Sequence, residues 1–254
     1  MMRRFAILCL TAGLMVGCGG GGGGSNPPPP PNKSVGGIWT GVTPDGLQVI
    51  GLITEAGQFH FLQEDGVQYF GTMTVSNQTS ISGTFTGYTP IGTSFPDGAT
   101  RGSGTFTGTV TERAVLTGTT DFTSANGGHT VGPLTLHYES LYDRDSSLAM
   151  ISGNFEDVDG VVVNINNGVV FAQDAVTHCV INGSVSVIDT QFNAYRVQYT
   201  YSSCIGSDAI LNGVNFDGLA TLDNTSPPDE YIVAGVTAQV GNVGVSIIHV
   251  LLRT

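Results

Sequence analysis

The sequence has very few positive charges. Its 254 residues include 8 lysines and arginines against 20 aspartates and glutamates, and Lys33 is the single lysine. So acidic a chain is repelled by phosphate backbones, which argues against nucleic acid as a partner. The same charge argues against electrostatic docking onto anionic lipid. Any attachment to a membrane therefore has to be hydrophobic.

Long apolar runs and helical patterns are also missing. No run reaches the roughly 20 apolar residues that span a bilayer, and no window after residue 34 sustains an apolar period of 3.6 residues. Short alternating runs recur instead between Gly, Pro, Asn and Asp breaks. This pattern predicts an all-β protein with antiparallel strands.

Familiar catalytic motifs are absent from the sequence. It has no His-Glu-x-x-His, no Gly-x-Ser-x-Gly and no glycine loop followed by Lys-Ser or Lys-Thr. Residues 156–160 space carboxylates two apart before a glycine, as some calcium loops do, but lack the further ligand and the closing glutamate. We predict a solvated turn there, with calcium as the alternative, and a protein without enzymatic activity, metal or cofactor.

One short apolar segment stands at the N-terminus. Arg3 and Arg4 precede residues 5–16, and Leu14-Met15-Val16-Gly17-Cys18 ends the segment. A basic start before a short apolar run is typical of a secretory signal. The final five residues resemble the signal of bacterial lipoproteins, which is cut before the cysteine so that the thiol can be acylated. An ordinary secretory signal with a chance cysteine is the alternative.

The lipoprotein resemblance implies three things about the N-terminal region. Residues 1–17 would be removed as a signal peptide, and acyl chains on Cys18 would hold the protein on a membrane. Residues 18–33 would then be the lipidated cysteine and a tether of six flexible glycines and five stiff prolines, although a proline run can also bind aromatic grooves. In this family an aspartate after the cysteine retains many members at the inner membrane, so Gly19 implies the outer membrane, with the leaflet undetermined.

Two further cysteines lie in the body of the chain. An exported protein with two remaining thiols is expected to pair them, so we predict a disulfide between Cys179 and Cys204. The alternative is a metal-binding or catalytic thiol, because His178 precedes Cys179. Neighbours on a strand point to opposite faces, however, which favours the disulfide.

The alternating runs predict sixteen strands in two sets of eight. They lie at 36–42, 47–54, 58–63, 68–75, 80–87, 103–111, 114–122 and 133–140, then at 149–156, 160–166, 169–173, 179–188, 194–202, 211–222, 230–238 and 244–252. We predict two tandem eight-stranded meander barrels, one over residues 34–142 and one over residues 143–254. One larger barrel or a sandwich is the alternative.

The two halves look like copies of each other. Matching segments are Gly57-Gln58-Phe59 with Gly168-Val169-Val170, Gly71 with Gly183, Phe106 with Phe216, Leu136-His137 with Ile248-His249, and Trp39 with Phe155. The first four matches have nearly constant offsets of 110 to 112 residues. This constancy predicts a duplication. Within the first half, Ser-Gly-Thr-Phe-Thr-Gly at residues 82–87 recurs at residues 103–108.

Gly37-Ile38-Trp39, which opens the first meander, resembles the start of lipocalins and related small-ligand barrels. In lipocalins an arginine from the last strand packs over this tryptophan, and residues 133–140 contain none.

Three functions are open at this point. The first is a non-enzymatic envelope lipoprotein whose β-body binds a protein or glycan partner or has a structural role at the cell surface. The second is a carrier of a small apolar ligand, held beside Trp39 or Phe155, which requires a hollow barrel. The third is a hydrolase, which requires histidine and acid side chains in one pocket. The oligomeric state is left open.

Overall fold

The computed structural model describes residues 30–43, 45–226 and 229–254, without the side chains of Ser226 and Asp229. The lipoprotein-like signal, Cys18 and most of the tether lie outside these residues. Over the described ranges, no helix is both long and apolar enough to cross a membrane. The two barrels lie in one unit, Pro31–Thr254.

The first eight strands form a closed antiparallel barrel in chain order. They are β1 Gly37–Val42, β2 Gln48–Ile53, β3 Gln58–Gln63, β4 Gln68–Ser76, β5 Ser80–Tyr88, β6 Arg101–Thr111, β7 Val115–Ser124 and β8 His129–Glu139. The barrel closes where β8 pairs with β1, with Tyr138 opposite Trp39.

The last eight strands form a second closed barrel with the same order. They are β9 Gly153–Glu156, β10 Val162–Asn166, β11 Val169–Gln173, β12 Val180–Val187, β13 Tyr195–Ser202, β14 Asn215–Ser226, β15 Asp229–Val240 and β16 Val243–Arg253. Here β16 closes onto β9, with Arg253 opposite Phe155. The prediction of two tandem eight-stranded meander barrels is confirmed.

Three strand starts differ from the prediction by four residues, and the others agree within two. β9 begins at Gly153 instead of 149, because the residues before it form a turn, and β14 begins at Asn215 because Gly206–Leu211 form a 3-10 helix. β8 begins at His129, four residues earlier than predicted, and runs through Pro133. Proline cannot donate to a sheet ladder and is confined in most strands to edges or starts. Pro133 is nevertheless exposed within the strand and lies opposite Thr119.

The register of β5 and β6 shows how the two copies of the repeated hexapeptide pack against each other. The two copies pair so that Phe85 lies opposite Gly104 and Gly83 lies opposite Phe106. A Cβ on Gly104 would be 2.5 Å from the Phe85 ring, so glycine is needed to admit the ring. The threonines between them point outward and are exposed or half-buried. The second copy therefore provides the space that the Phe85 ring of the first copy fills, whereas the Phe106 ring lies over Gly118 of β7.

The proposed copies occupy equivalent strands in the two barrels. Trp39 and Phe155 are both 0% exposed on the first strand of their barrel, and Phe106 and Phe216 are both buried on the sixth. In the last strands, the matched residues Leu136 and Ile248 point to opposite faces of their barrels. Leu136 points into the first barrel at 0% exposure, whereas Ile248 is 37% exposed.

The outer wall of the first barrel packs against the second barrel. Ile38 and Leu52 on that wall share an apolar cluster with Tyr142 and Ala194. Beside this cluster, the buried His60 Nε2 lies 2.6 Å from the Gln68 Oε1 atom. Gln68 reaches the backbone of β15, where a Cβ on Gly235 would be 3.0 Å from its Oε1 atom. Sequence alternation places these polar side chains on an outer face, and only the second barrel buries them.

Candidate functional site

The two barrel interiors differ in how much space they enclose. The first barrel contains a cavity of about 610 Å³, whereas the second contains about 50 Å³. Small-molecule sites typically enclose 300–1,000 Å³. Only the first interior therefore has room for a ligand.

The difference follows from the residues that point inward. The second barrel's interior is filled by branched aliphatic side chains and tyrosines from nearly every strand, including Ile165, Ile232 and Tyr195. The first barrel has glycines at several inward positions, among them Gly104 and Gly118, each beside a phenylalanine ring. The rings of Phe85 and Phe106 lie over these two glycines, where a branched side chain would clash with them.

Aromatic rings from several strands contribute to the cavity wall. The wall includes Phe59, Phe61, Phe85, Phe106 and Phe122. Stacking fixes part of it, since the rings of Phe85 and Phe122 are parallel with centroids 6.1 Å apart. Such a wall offers an apolar ligand large contact areas at low conformational cost.

The sole tryptophan closes one end of the barrel interior. Trp39 is 0% exposed and its indole Nε1 donates to the Val35 carbonyl oxygen at 3.1 Å. Its ring packs edge-on against Tyr138, with centroids 5.4 Å apart. Trp39 does not itself line the cavity, which extends towards the opposite end, among the turns that join β1 to β2, β3 to β4, β5 to β6 and β7 to β8.

One pair of polar side chains lies inside the cavity wall. The Tyr69 hydroxyl donates to the Gln63 Oε1 atom at 3.1 Å, and Gln63 is only 7% exposed. Burial raises the pKa of Tyr69, so the phenol stays neutral. Within the described chain, the Gln63 amide nitrogen donates to no protein atom. Gln63 therefore presents a donor to whatever occupies the cavity.

The β5–β6 loop is fastened across the mouth. The Asp97 carboxylate accepts hydrogen bonds from the Ser124 hydroxyl and, at 2.9 Å, from the Gly128 N–H. The Ser124 bond is the main reason that the pKa of Asp97 is lowered, so the carboxylate is ionised. Two residues before it, Phe95 packs on Phe122 with centroids 5.1 Å apart. The loop thus places both an aromatic ring and a charge at the entrance.

The mouth is acidic. Asp45 and Asp65, from two other turns, line it together with Asp97. Among the described residues that line the cavity there is no lysine or arginine. His129 is the one imidazole there, and its Nε2 lies 2.9 Å from the Asp121 carboxylate.

Hydrolytic chemistry requires a nucleophile in contact with a base. Ser124 donates to Asp97 and not to a histidine. His60, His129 and His249 contact Gln68, Asp121 and Tyr199, respectively, and within the described ranges no histidine side chain hydrogen-bonds to a serine or threonine hydroxyl.

The other sequence-predicted residues lie away from the cavity. The Sγ atoms of Cys179 and Cys204 are 2.09 Å apart, at disulfide distance, and this pair joins two loops of the second barrel. At residues 156–160, the Asp157 carboxylate accepts the N–H groups of Asp159 and Val161 and so closes its own turn. Within the described ranges, no three His, Cys, Asp or Glu side chains cluster as metal ligands would.

An arginine over the opening aromatic residue is found in the second barrel. The Arg253 guanidinium lies 4.6 Å from the centroid of Phe155, and its Nη1 donates to the Ser152 carbonyl oxygen at 2.8 Å. Arg253 is on the last strand, and Phe155 is the counterpart of Trp39. The corresponding last strand of the first half, predicted at residues 133–140, contains no arginine.

Sequence reasoning also missed Gln63, Tyr69 and the acids of the mouth. The alternation Phe59, Phe61, Gln63 is visible in the sequence and would have placed Gln63 inside the barrel.

Comparison with protein-family models, curated proteins and solved structures finds no match to this chain.

Proposed function

We propose that the protein is a bacterial envelope lipoprotein, anchored in the outer membrane by acyl chains on Cys18, whose first barrel carries a small apolar molecule. The observation that supports carriage is the aromatic cavity of about 610 Å³ in one barrel only. The resemblance of residues 14–18 to a lipoprotein signal supports the anchor. The second barrel, with its packed interior, serves as a rigid partner for the wall of the first.

The expected affinity is moderate. Drug-sized ligands gain about 0.3 kcal/mol per non-hydrogen atom. A ligand of roughly 20 such atoms would gain about 6 kcal/mol, which corresponds to a dissociation constant of tens of micromolar. A carrier with such an affinity can load and release its ligand without an energy source.

Binding is tested with the fluorescence of N-phenyl-1-naphthylamine, an uncharged apolar probe. The full chain carries Cys18→Ser, so that no acyl chain competes for the probe. Thr120 lines the cavity, whereas its neighbour Thr119 is exposed on the outer face. We expect Thr120→Phe to weaken binding at least tenfold and Thr119→Phe to leave it unchanged. Equal binding by both variants would show that the probe is not inside the barrel.

The anchor is tested by expressing the native chain with an alkyne-tagged fatty acid. We expect label and membrane fractionation for the native chain and for Cys9→Ser, and neither for Cys18→Ser. Label that persists in Cys18→Ser would refute acylation at this residue.

A second candidate function, glycan binding, is favoured by the outer face of β4 to β7. Hydroxyl side chains form cross-strand rows there, including Thr72, Thr84 and Thr105, beside the half-buried ring of Phe70. These residues line a shallow trough of about 660 Å³ that ends at Asp121. Rows of hydroxyls, one ring and one carboxylate suit a neutral glycan. On a glycan array we expect Thr105→Leu to abolish binding and the exposed Thr135→Leu, on β8, to preserve it.

A further inference from the structure

We infer that the cavity selects an uncharged or cationic ligand that carries a hydrogen-bond acceptor, and that it rejects carboxylates such as fatty acids. This inference rests on the proposed carrier function and specifies its ligand class. Three independent features support it: the charges of the mouth, the donor in the wall and the size of the cavity.

The mouth opposes an anionic head group. Asp45, Asp65 and Asp97 come from three different turns and line the same opening. In the part of the chain that the structure describes, no lysine or arginine lines the cavity to compensate them, and the His129 Nε2 atom lies 2.9 Å from the Asp121 carboxylate. A fatty acid whose chain fills the barrel would place its carboxylate among these acids. Three like charges at about 8 Å in water would weaken its binding roughly tenfold at low ionic strength.

The Gln63 amide in the cavity wall favours a ligand that carries a hydrogen-bond acceptor. Tyr69 donates to the carbonyl oxygen of Gln63, and this bond orients the amide. No described protein atom accepts from the Gln63 N–H groups, which are therefore available to water or to an occupant of the cavity. An apolar occupant that excludes water without offering an acceptor would leave this 7%-exposed amide unpaired, which is unfavourable. A carbonyl, ether or quinone-type oxygen satisfies it.

The size and the rings set the shape of the ligand. A cavity of about 610 Å³ takes a molecule of one to three fused rings or a medium alkyl chain. The wall of phenylalanines favours flat faces that can stack.

The charge selection is tested with two competitors that share one alkyl chain: decanoate and decanol. Each displaces N-phenyl-1-naphthylamine from the full chain carrying Cys18→Ser at pH 8 and low salt. We expect decanoate to be about tenfold weaker than decanol and the difference to shrink in high salt. Asp45→Asn combined with Asp65→Asn should bring decanoate close to decanol. Asp145→Asn combined with Asp159→Asn, which removes two exposed charges elsewhere, should change nothing.

The acceptor is tested with naphthalene and 2-acetylnaphthalene. We expect the native side chain to favour the ketone severalfold, and Gln63→Leu to abolish that preference while retaining naphthalene. A preference that survives Gln63→Leu, or decanoate that competes as well as decanol, overturns the inference and leaves the carrier function intact. Failure of the fluorescent probe itself to bind overturns the carrier function.

Discussion

Acidification is expected to destabilise the protein through His60, which lies where the first barrel packs against the second. His60 is 4% exposed, and its one hydrogen bond in the described structure is the 2.6 Å contact with Gln68. Burial lowers the pKa of His60 from 6.5 to about 4, and it outweighs the opposing effects of Gln68 and Asp217, which raise the pKa. The folded protein therefore keeps this imidazole neutral where the unfolded chain protonates it.

The sign and size of the effect follow from this difference. Below pH 6.5 the unfolded chain binds a proton that the folded protein does not, so stability falls as the pH falls towards 4. Each unit of pKa difference is worth 1.36 kcal/mol, which gives a loss of about 2.5 kcal/mol between pH 7.5 and pH 4.5. Below pH 4 the folded protein also takes the proton, and the loss stops growing.

The assay is urea unfolding at pH 7.5 and at pH 4.5, on the native chain and on His60→Gln. Other groups titrate in both proteins, including His249, whose pKa burial also lowers to about 4. Their contributions cancel when the two pH dependences are compared. We expect His60→Gln to lose about 2.5 kcal/mol less than the native chain, and the exposed His137→Gln to behave like the native chain. Equal losses in the native chain and His60→Gln would refute the burial of His60 between the barrels.

Three further changes probe the packing of each barrel. Replacing Cys179 and Cys204 by serine should lower the free energy of unfolding by about 3 kcal/mol, measured in urea, because the unfolded chain loses a 25-residue loop constraint; an unchanged midpoint would contradict the cross-link. Gly104→Ala should lower the free energy of unfolding by about 1–3 kcal/mol in the same assay, because its Cβ would meet the Phe85 ring at 2.5 Å. The control Ser103→Ala, at an exposed position, should lower it by less than about 0.5 kcal/mol. Arg253→Met should lower stability by about 2 kcal/mol through lost hydrogen bonds and ring contact, with the more exposed Arg196→Met as a near-neutral control.

Local patterns were enough to predict every strand. Alternation with period 2 and the turn residues that interrupt it are properties of neighbouring residues, so they can be recognised from the sequence without knowledge of the fold. The same alternation shows which face of β5 carries Phe85 and which carries Thr84. The matching of the two halves was wrong about side-chain orientation in the last strands. It paired Ile248 with Leu136, although Ile248 is exposed and Leu136 is buried. Residue likeness at a constant offset does not reveal which face a side chain occupies.

The sequence by itself determined the charge, the strand order, the pairing of Cys179 with Cys204 and the likeness of the two halves, because each depends on composition or on short spacings. Only the tertiary structure decided that one barrel is hollow and the other packed, since the free volume on a barrel axis depends on side chains from all eight strands at once. It alone decided that His60 is buried, because an outer face becomes an interior only when a second barrel covers it. The mouth acids Asp45, Asp65 and Asp97 are far apart in the chain, and barrel closure is what brings their turns to a single opening.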